Sequence, residues 1–296
     1  MVTESDTKDT KNLNLEGGKK ESSSDIPISV YVRHPLSTRE STLLASLAER
    51  GRNIFSLEDV TSTLAVTYAN AKVIVNRLVK KAWLIRLARG TYLIVPLEAG
   101  VKSHYTEHGF VIASHLVNPY YIGYGSALNS HGLTELVPST VYVVSNKRRK
   151  NRSILHTKFR FITVSKSKMF GLEELTISGK KVKISDAEKT IADCLDHPEY
   201  CAGIDEIAKS IFFEHKELDM KKIVTYAKRL GNKTIIKRLG YLIELFGYHE
   251  YEYLFENIEL SEGYPKLDPR RPKKGKVYSK WKLVLNADID PKRWMI

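Results

Sequence analysis

The sequence predicts an α+β fold, with a small helical unit that ends in a hairpin followed by a larger mixed α/β unit. Three observations predict it. Between residues 37 and 82, apolar residues recur at helical spacing in three short blocks, each opening on a hydroxyl residue able to cap it. Two strand-like runs then flank an Arg-Gly pair. Beyond residue 97, alternating runs such as "STVYVVS" are mixed with long amphipathic blocks. At 296 residues and 42% apolar, the chain is about two average domains long and can bury real cores.

Residues 1–25 are polar, rich in Ser, Lys, Asp and Gly, and without periodicity, so a disordered tail is expected there. Structure is expected from about Ile26. Ser37 and Glu40 have capping-box spacing, Leu43, Leu44 and Leu47 make a stripe, and Gly51 is a natural stop. Ser56 and Asp59 repeat the device ahead of Leu57, Val60 and Leu64. Thr67 can cap a third helix running to about Ala82, with Ala71, Ile74, Val75 and Leu78 inside. "WLIRLA" and "TYLIV" then read as strands joined through Arg89-Gly90. Three helices and a hairpin is the winged helix-turn-helix order, expected over residues 26–96. In it the third helix can enter the DNA major groove while the hairpin reaches a neighbouring phosphate or the minor groove.

Residues 97–296 read as the larger unit. "GYGSALNSHG" suggests a short helix capped by Ser126 and ended by Gly132. "STVYVVS" and "TKFRFITVS" suggest strands, with "NKRRKNRSILH" at the tip of a hairpin between them. In "ISDAEKTIADCLD", Ser185 and Glu188 have capping-box spacing, and Asp186, Glu188, Asp193 and Asp196 read as capping and solvent-facing acids rather than a metal cluster. Cys194 reads as buried packing. Two amphipathic helices meet at Gly231-Asn232, and a Pro-broken basic loop leads to one last strand, "KWKLVLN".

The net charge is +13, and it is clustered. Residues 31–95 carry ten Lys/Arg against four acids, residues 146–168 nine against none, and residues 264–296 ten against three. A solvated coat mixes its signs, so clustering favours a polyanion partner. On the third helix Tyr68, Lys72, Asn76 and Lys80 recur every four residues and share the face away from the core. Lys meets phosphate, Asn can pair with adenine, and Tyr can touch a thymine methyl or a phosphate. The DNA-contacting set expected from sequence is therefore Thr67, Tyr68, Lys72, Asn76, Arg77, Lys80, Lys81, Arg86 and Arg89. To it are added Lys147, Arg148, Arg149, Lys150 and Arg152 as a phosphate claw. A Lys-rich loop that merely blunts a sheet edge is the plainer alternative.

Other chemistries find little in the sequence. Among His104, His108 and His115, the i,i+4 spacing could place two imidazoles on one helical face, but the motif also needs a third ligand or a Glu between the pair, and Glu107 sits one place off a zincin arrangement. Gly125-Ser126 opens like a nucleotidyltransferase turn, but only Glu135 follows where two acids would be needed. There is no Walker loop and no dinucleotide-binding Gly pattern. No catalytic residue, metal or cofactor is expected. No apolar run is long enough to span a membrane, no secretory signal is evident, and two Cys point to a reducing cytoplasm.

Four segments together resemble the AbiEi family of transcriptional regulators and antitoxins, from abortive-infection toxin–antitoxin pairs. They are "LVKKAWLIRLARGTYLIV", "YYIGYGSALNSHGLTELVP", "ISDAEKTIADCLDHPEYCAGIDEIA" and "YPKLDPRRPKKGKVYSKWKLVLN". They lie in the family's order over residues 36–286 or so. The resemblance implies a winged-helix DNA-binding domain followed by a C-terminal antitoxin domain. It further implies repression of the protein's own operon at inverted repeats on double-stranded DNA. A separately encoded nucleotidyltransferase-like toxin, countered without a stable complex, is also implied. A regulator standing alone without a toxin, a winged-helix adaptor for protein or RNA, and a metal-dependent nucleic-acid enzyme are the competing readings.

Overall fold

The computed structural model describes residues 33–95, 107–154 and 157–295. The expected tail, the start of the first unit at Ile26, and His104 lie outside the described residues. The three N-terminal helices form where their caps put them. Helix α1 (Thr38–Glu49) and helix α2 (Leu57–Leu64) each open on a complete capping box, Ser37 with Glu40 and Ser56 with Asp59. Thr67 Oγ1 accepts the Asn70 amide to start α3 (Tyr68–Lys80). The strand β1 (Ile54–Ser56), too short to show in the sequence, joins β2 (Leu84–Ala88) and β3 (Thr91–Ile94) in a sheet ordered β1-β3-β2.

This sheet is buried on both faces. Phe55, Leu84, Tyr92 and Ile94 pack with Leu43, Leu47, Val60 and Leu78 of the three helices. The alternate residues, Ile54, Leu87 and Leu93, join a second core with Val111 and Ile112 of α4 (Gly109–Ser114), and with Val143, Phe159 and Ile184. The period of two along a strand makes this division possible.

The larger part is built on β4 (Tyr121–Ile122), β5 (Thr140–Ser145), β6 (Arg152–Ile154), β7 (Thr157–Thr163), β8 (Leu172–Ile177) and β9 (Lys180–Ser185). They form one mixed sheet in the order β6-β7-β5-β4-β9-β8. β5 pairs with β7 in parallel, and β6 returns antiparallel on the outside of β7. The basic loop 146–151 is therefore not the tip of a β5–β7 hairpin. It crosses the end of β7, where Asn151 Oδ1 accepts the Phe161 amide at 2.9 Å. Helices α5 (Tyr124–Ser130), α6 (Ala187–Asp196), α7 (Ile204–Glu214), α8 (Met220–Leu230) and α9 (Lys233–Phe246) contribute to the core on the other face. A small hairpin of β10 (Lys276–Tyr278) and β11 (Leu283–Leu285) lies against α9, where Gly240 leaves room for the Trp281 ring.

Two expected caps are replaced. Ser126 is buried inside α5, donating to Thr140 O and accepting the Tyr142 amide, and Gly123 precedes the helix without a side-chain cap. Asp186, not Ser185, caps α6. Ser185 closes β9 and bonds the Thr190 hydroxyl at 2.7 Å. Asp193 is not on a solvent face either. It is buried, pairs with the fully buried Lys189 and accepts the Tyr121 hydroxyl at 3.0 Å. Burial pushes the Asp193 carboxyl up, while Lys189 and the Tyr121 hydroxyl pull it back only in part.

Removing one partner of such a pair strands the other charge in the core. Asp193→Ala should cost roughly 3–5 kcal/mol of stability by equilibrium urea unfolding, and Lys189→Met in the same chain should restore much of it. An Asp193→Ala loss below about 1 kcal/mol would contradict the buried pair.

Candidate nucleic-acid interface

The α3 face expected from sequence forms as drawn. Ala71, Ile74, Val75 and Leu78 are buried, while Thr67, Tyr68, Lys72, Asn76, Arg77 and Lys80 are exposed. The Lys72 ammonium lies 4.6 Å from the Tyr68 ring centroid, so the first two members of the row already touch. Arg86 and Arg89 are exposed on the hairpin, and the Arg86 Nε donates to Ala88 O at 3.4 Å.

Lys81 has a different neighbourhood. It is half-buried, and its ammonium donates to Glu40 Oε2 at 2.6 Å. Glu40 also accepts the Ser37 amide at 2.7 Å. One carboxylate thus ties the start of α1 to the end of α3. Burial alone would push Glu40 up, but Lys81 and Ser37 outweigh it and hold the carboxyl below its ordinary range.

The basic loop comes to the hairpin. Arg89 and Thr91 of the hairpin line a cleft of about 490 Å³ together with Lys147, Arg149 and Arg152, and with His115 and Asn118. Arg152 is half-buried with no carboxylate beside it, and burial lowers its pKa. Burial, aided by Lys180 and opposed by Glu107, lowers His115 as well. Lys147, Arg148, Arg149 and Lys150 are exposed. The sequence separates hairpin and loop by more than fifty residues, and only the doubly buried sheet makes them neighbours.

Ion pairing divides the basic clusters. Among the described residues, none of Lys72, Arg77, Lys80, Arg86, Arg89, the four cations of loop 146–151 or Arg152 forms an ion pair with a carboxylate. The C-terminal cluster is mostly engaged. Arg271 pairs with Asp205, Lys280 with Glu244, Lys282 with Glu262 and Arg293 with Asp288. Lys266 and Arg270 donate to backbone carbonyls. This cluster was expected to add to a polyanion surface. Three of its members, Arg270, Arg271 and Lys280, instead tie the C-terminal segment to the body.

His108 has a local structural role. His108 Nδ1 accepts the Phe110 amide as the cap of α4, and Glu107 pairs with Lys180 at 2.8 Å. Among the described residues no group of three His, Cys, Asp or Glu could hold a metal ion. No helix among them is long and apolar enough to cross a membrane.

The roles of neighbouring lysines should separate on measurement. Lys81→Met should lower stability by roughly 1–3 kcal/mol, whereas Lys80→Met should stay within about 0.5 kcal/mol of the parent. Glu40 is held low, so its contribution is present above the ordinary carboxylate range and is lost as pH falls through the folded value. Thermal melts at descending pH should therefore show a weaker acid loss in Lys81→Met. Equal behaviour of the two variants would contradict the tie.

Comparison with known proteins adds two findings. No curated protein matches the chain. The fold is similar to the crystal structure of the RV2827C protein from Mycobacterium tuberculosis, with a TM-score of 0.63 at 12% identity, over 86% of this chain and 93% of that one. At that identity the likeness is one of fold. A family model described as "Transcriptional regulator, AbiEi antitoxin" matches residues 43–95, which run from within α1 to the end of the β2–β3 hairpin. Over this segment, the one that bears α3 and Arg89, the chain carries the signature of the AbiEi antitoxin family of transcriptional regulators.

Proposed function

We propose that the chain is a winged helix-turn-helix DNA-binding repressor and antitoxin of AbiEi type. Residues 26–96 act as the DNA-binding domain and residues 97–296 as the AbiEi-like C-terminal domain, with residues 1–25 as a tail. Helix α3 enters the major groove, where Asn76 reads a base and Lys72, Arg77 and Lys80 meet phosphates. Arg86 and Arg89 on the hairpin, with Lys147 to Arg152 across the cleft, take the flanking backbone. The observation that carries the reading is the division of charge: among the described residues, the exposed cations on α3, the hairpin and residues 147–152 have no carboxylate partners, whereas four of the ten C-terminal ones do and two more are held by backbone carbonyls. A cation left unpaired on one surface is available for counterion release from a polyanion.

The family match supports the regulatory role. Repression of its own operon at inverted repeats, in the cytoplasm, follows from the family resemblance. So does antagonism of a separately encoded nucleotidyltransferase-like toxin without a stable complex. No catalytic step and no cofactor is part of the proposal.

The test is binding to DNA from upstream of the protein's own gene against a scrambled duplex, over a salt series. Preferential binding that survives moderate salt is expected. Asn76→Ala should cost about 1–3 kcal/mol and relax base preference at one position. Arg149→Ala should weaken every duplex alike and flatten the salt slope by about one. Equal, salt-fragile binding to both duplexes, unchanged by Asn76→Ala, would overturn the operator reading.

A further inference from the structure

The nine cations of residues 146–168 do not all face the hairpin cleft. Along β7, Lys158 and Arg160 alternate with Phe159 and Phe161, and Phe159 is buried in the core that receives the hairpin sheet. Arg152, directly opposite Phe159, lines the hairpin cleft. Lys158 and Arg160 therefore sit on the opposite face of the sheet. There a second cleft of about 500 Å³ opens beside the crossover loop, lined by Asn151, Arg160, Lys168, His197 and Tyr200.

The chemistry of this cleft is a stack with a cation on it. Arg160 is exposed, and its guanidinium lies 4.5 Å over the centroid of the Tyr200 ring. Tyr200 in turn stacks with His197 at 5.4 Å and 24°. Arg160 forms no ion pair among the described residues. The acids nearby are occupied. Asp196 is half-buried and held by Lys168 and Asn232, and Glu199 Oε1 accepts from His197 Nδ1 at 3.0 Å. Thr163 and Ser165 hydroxyls are exposed along the same edge. A flat, cationic, hydroxyl-edged cleft next to a run of unpaired bases suits an unpaired nucleotide, whose base can stack on a guanidinium or aromatic plane while its phosphates follow the cations. A duplex keeps its bases stacked inside and cannot use such a plane.

We propose that the Arg160–Tyr200 cleft is a second nucleic-acid site, selective for single strands. Its stacking residues, Arg160 and Tyr200, are not among those assigned to the duplex, so it can be tested separately from the repressor reading.

The experiment is fluorescence anisotropy of the full chain with labelled single strands of about 12 nucleotides, a length that suits grooves of this kind, as RNA and as DNA, beside a duplex. Arg160→Ala should weaken single-strand binding about tenfold and leave the duplex within about twofold. Tyr200→Phe, which keeps the ring, should bind as the parent does. Arg89→Ala should weaken the duplex and spare the single strand. Preference for either RNA or DNA supports the site and names the strand it takes. Failure of both single strands to bind, or equal losses on single strand and duplex from Arg160→Ala, would overturn it.

Discussion

Burial of the small three-stranded sheet on both faces is the constraint on which the rest depends. Its residues Phe55, Tyr92 and Ile94 serve the core under the three helices, and Ile54 and Leu93 serve the core shared with α4 and the large sheet. A one-residue shift of register would exchange the two sets and spoil both cores at once. The pairing of Ile54 with Leu93 and of Phe55 with Tyr92 is accordingly strict. Because the sheet belongs to two cores, α3 and the basic loop are held in one frame, and Arg89 meets Arg149 and Arg152 across a defined cleft.

Within that frame, charge serves two purposes that residue counts do not separate. Some cations are internal fasteners. Lys189 is buried against Asp193 and Tyr121. Arg238, pulled down to about 10 mainly by burial, donates to Leu195 O and Lys266 O and so joins α9, the end of α6 and the C-terminal segment. Lys81 performs the same service between α1 and α3. Among the described residues, the cations without a carboxylate partner include those on α3, the hairpin, loop 146–151 and the β6–β7 edge, and also Lys273, Lys274 and Lys276. A surface field is made by this second group alone, since a paired charge is largely cancelled beyond a Debye length.

What the sequence made legible was local. Ser37, Ser56 and Thr67 cap helices where spacing placed them, because a cap is decided within four residues. What it concealed was set by distant partners. Loop 146–151 looked like a hairpin tip because β5 and β7 follow each other, yet they pair in parallel and need the β6 excursion to do so. Ser185 looked like a cap, but β9 continues through it and Asp186 takes the role. Asp193 has helical neighbours typical of a solvent face, and only Tyr121, 72 residues away, places it inside. The C-terminal basic run found acids at Asp205 and Glu244, which lie well outside a window around residue 270. The cleft between Arg89 and Arg149 is the same kind of fact, since its two walls become neighbours through packing.

Affinity and selectivity then rest on different residues of the candidate surface. Cations facing phosphates gain mainly from counterion release, which every duplex supplies equally, so adding more of them raises binding to all sequences together. Selectivity needs groups whose interaction changes with the base. On α3 the exposed face offers Asn76 for a bidentate contact and Tyr68 for an apolar one, between Lys72, Arg77 and Lys80. Lys72 is already drawn to the Tyr68 ring, which restricts where both can reach. The tie from Lys81 to Glu40 fixes the other end of the same helix. A recognition helix anchored at its C-terminal cap and pre-arranged at its first turn loses less entropy on docking than a free one. The sequence preference of this surface should therefore be governed by the few uncharged side chains between its cations rather than by the size of the charge.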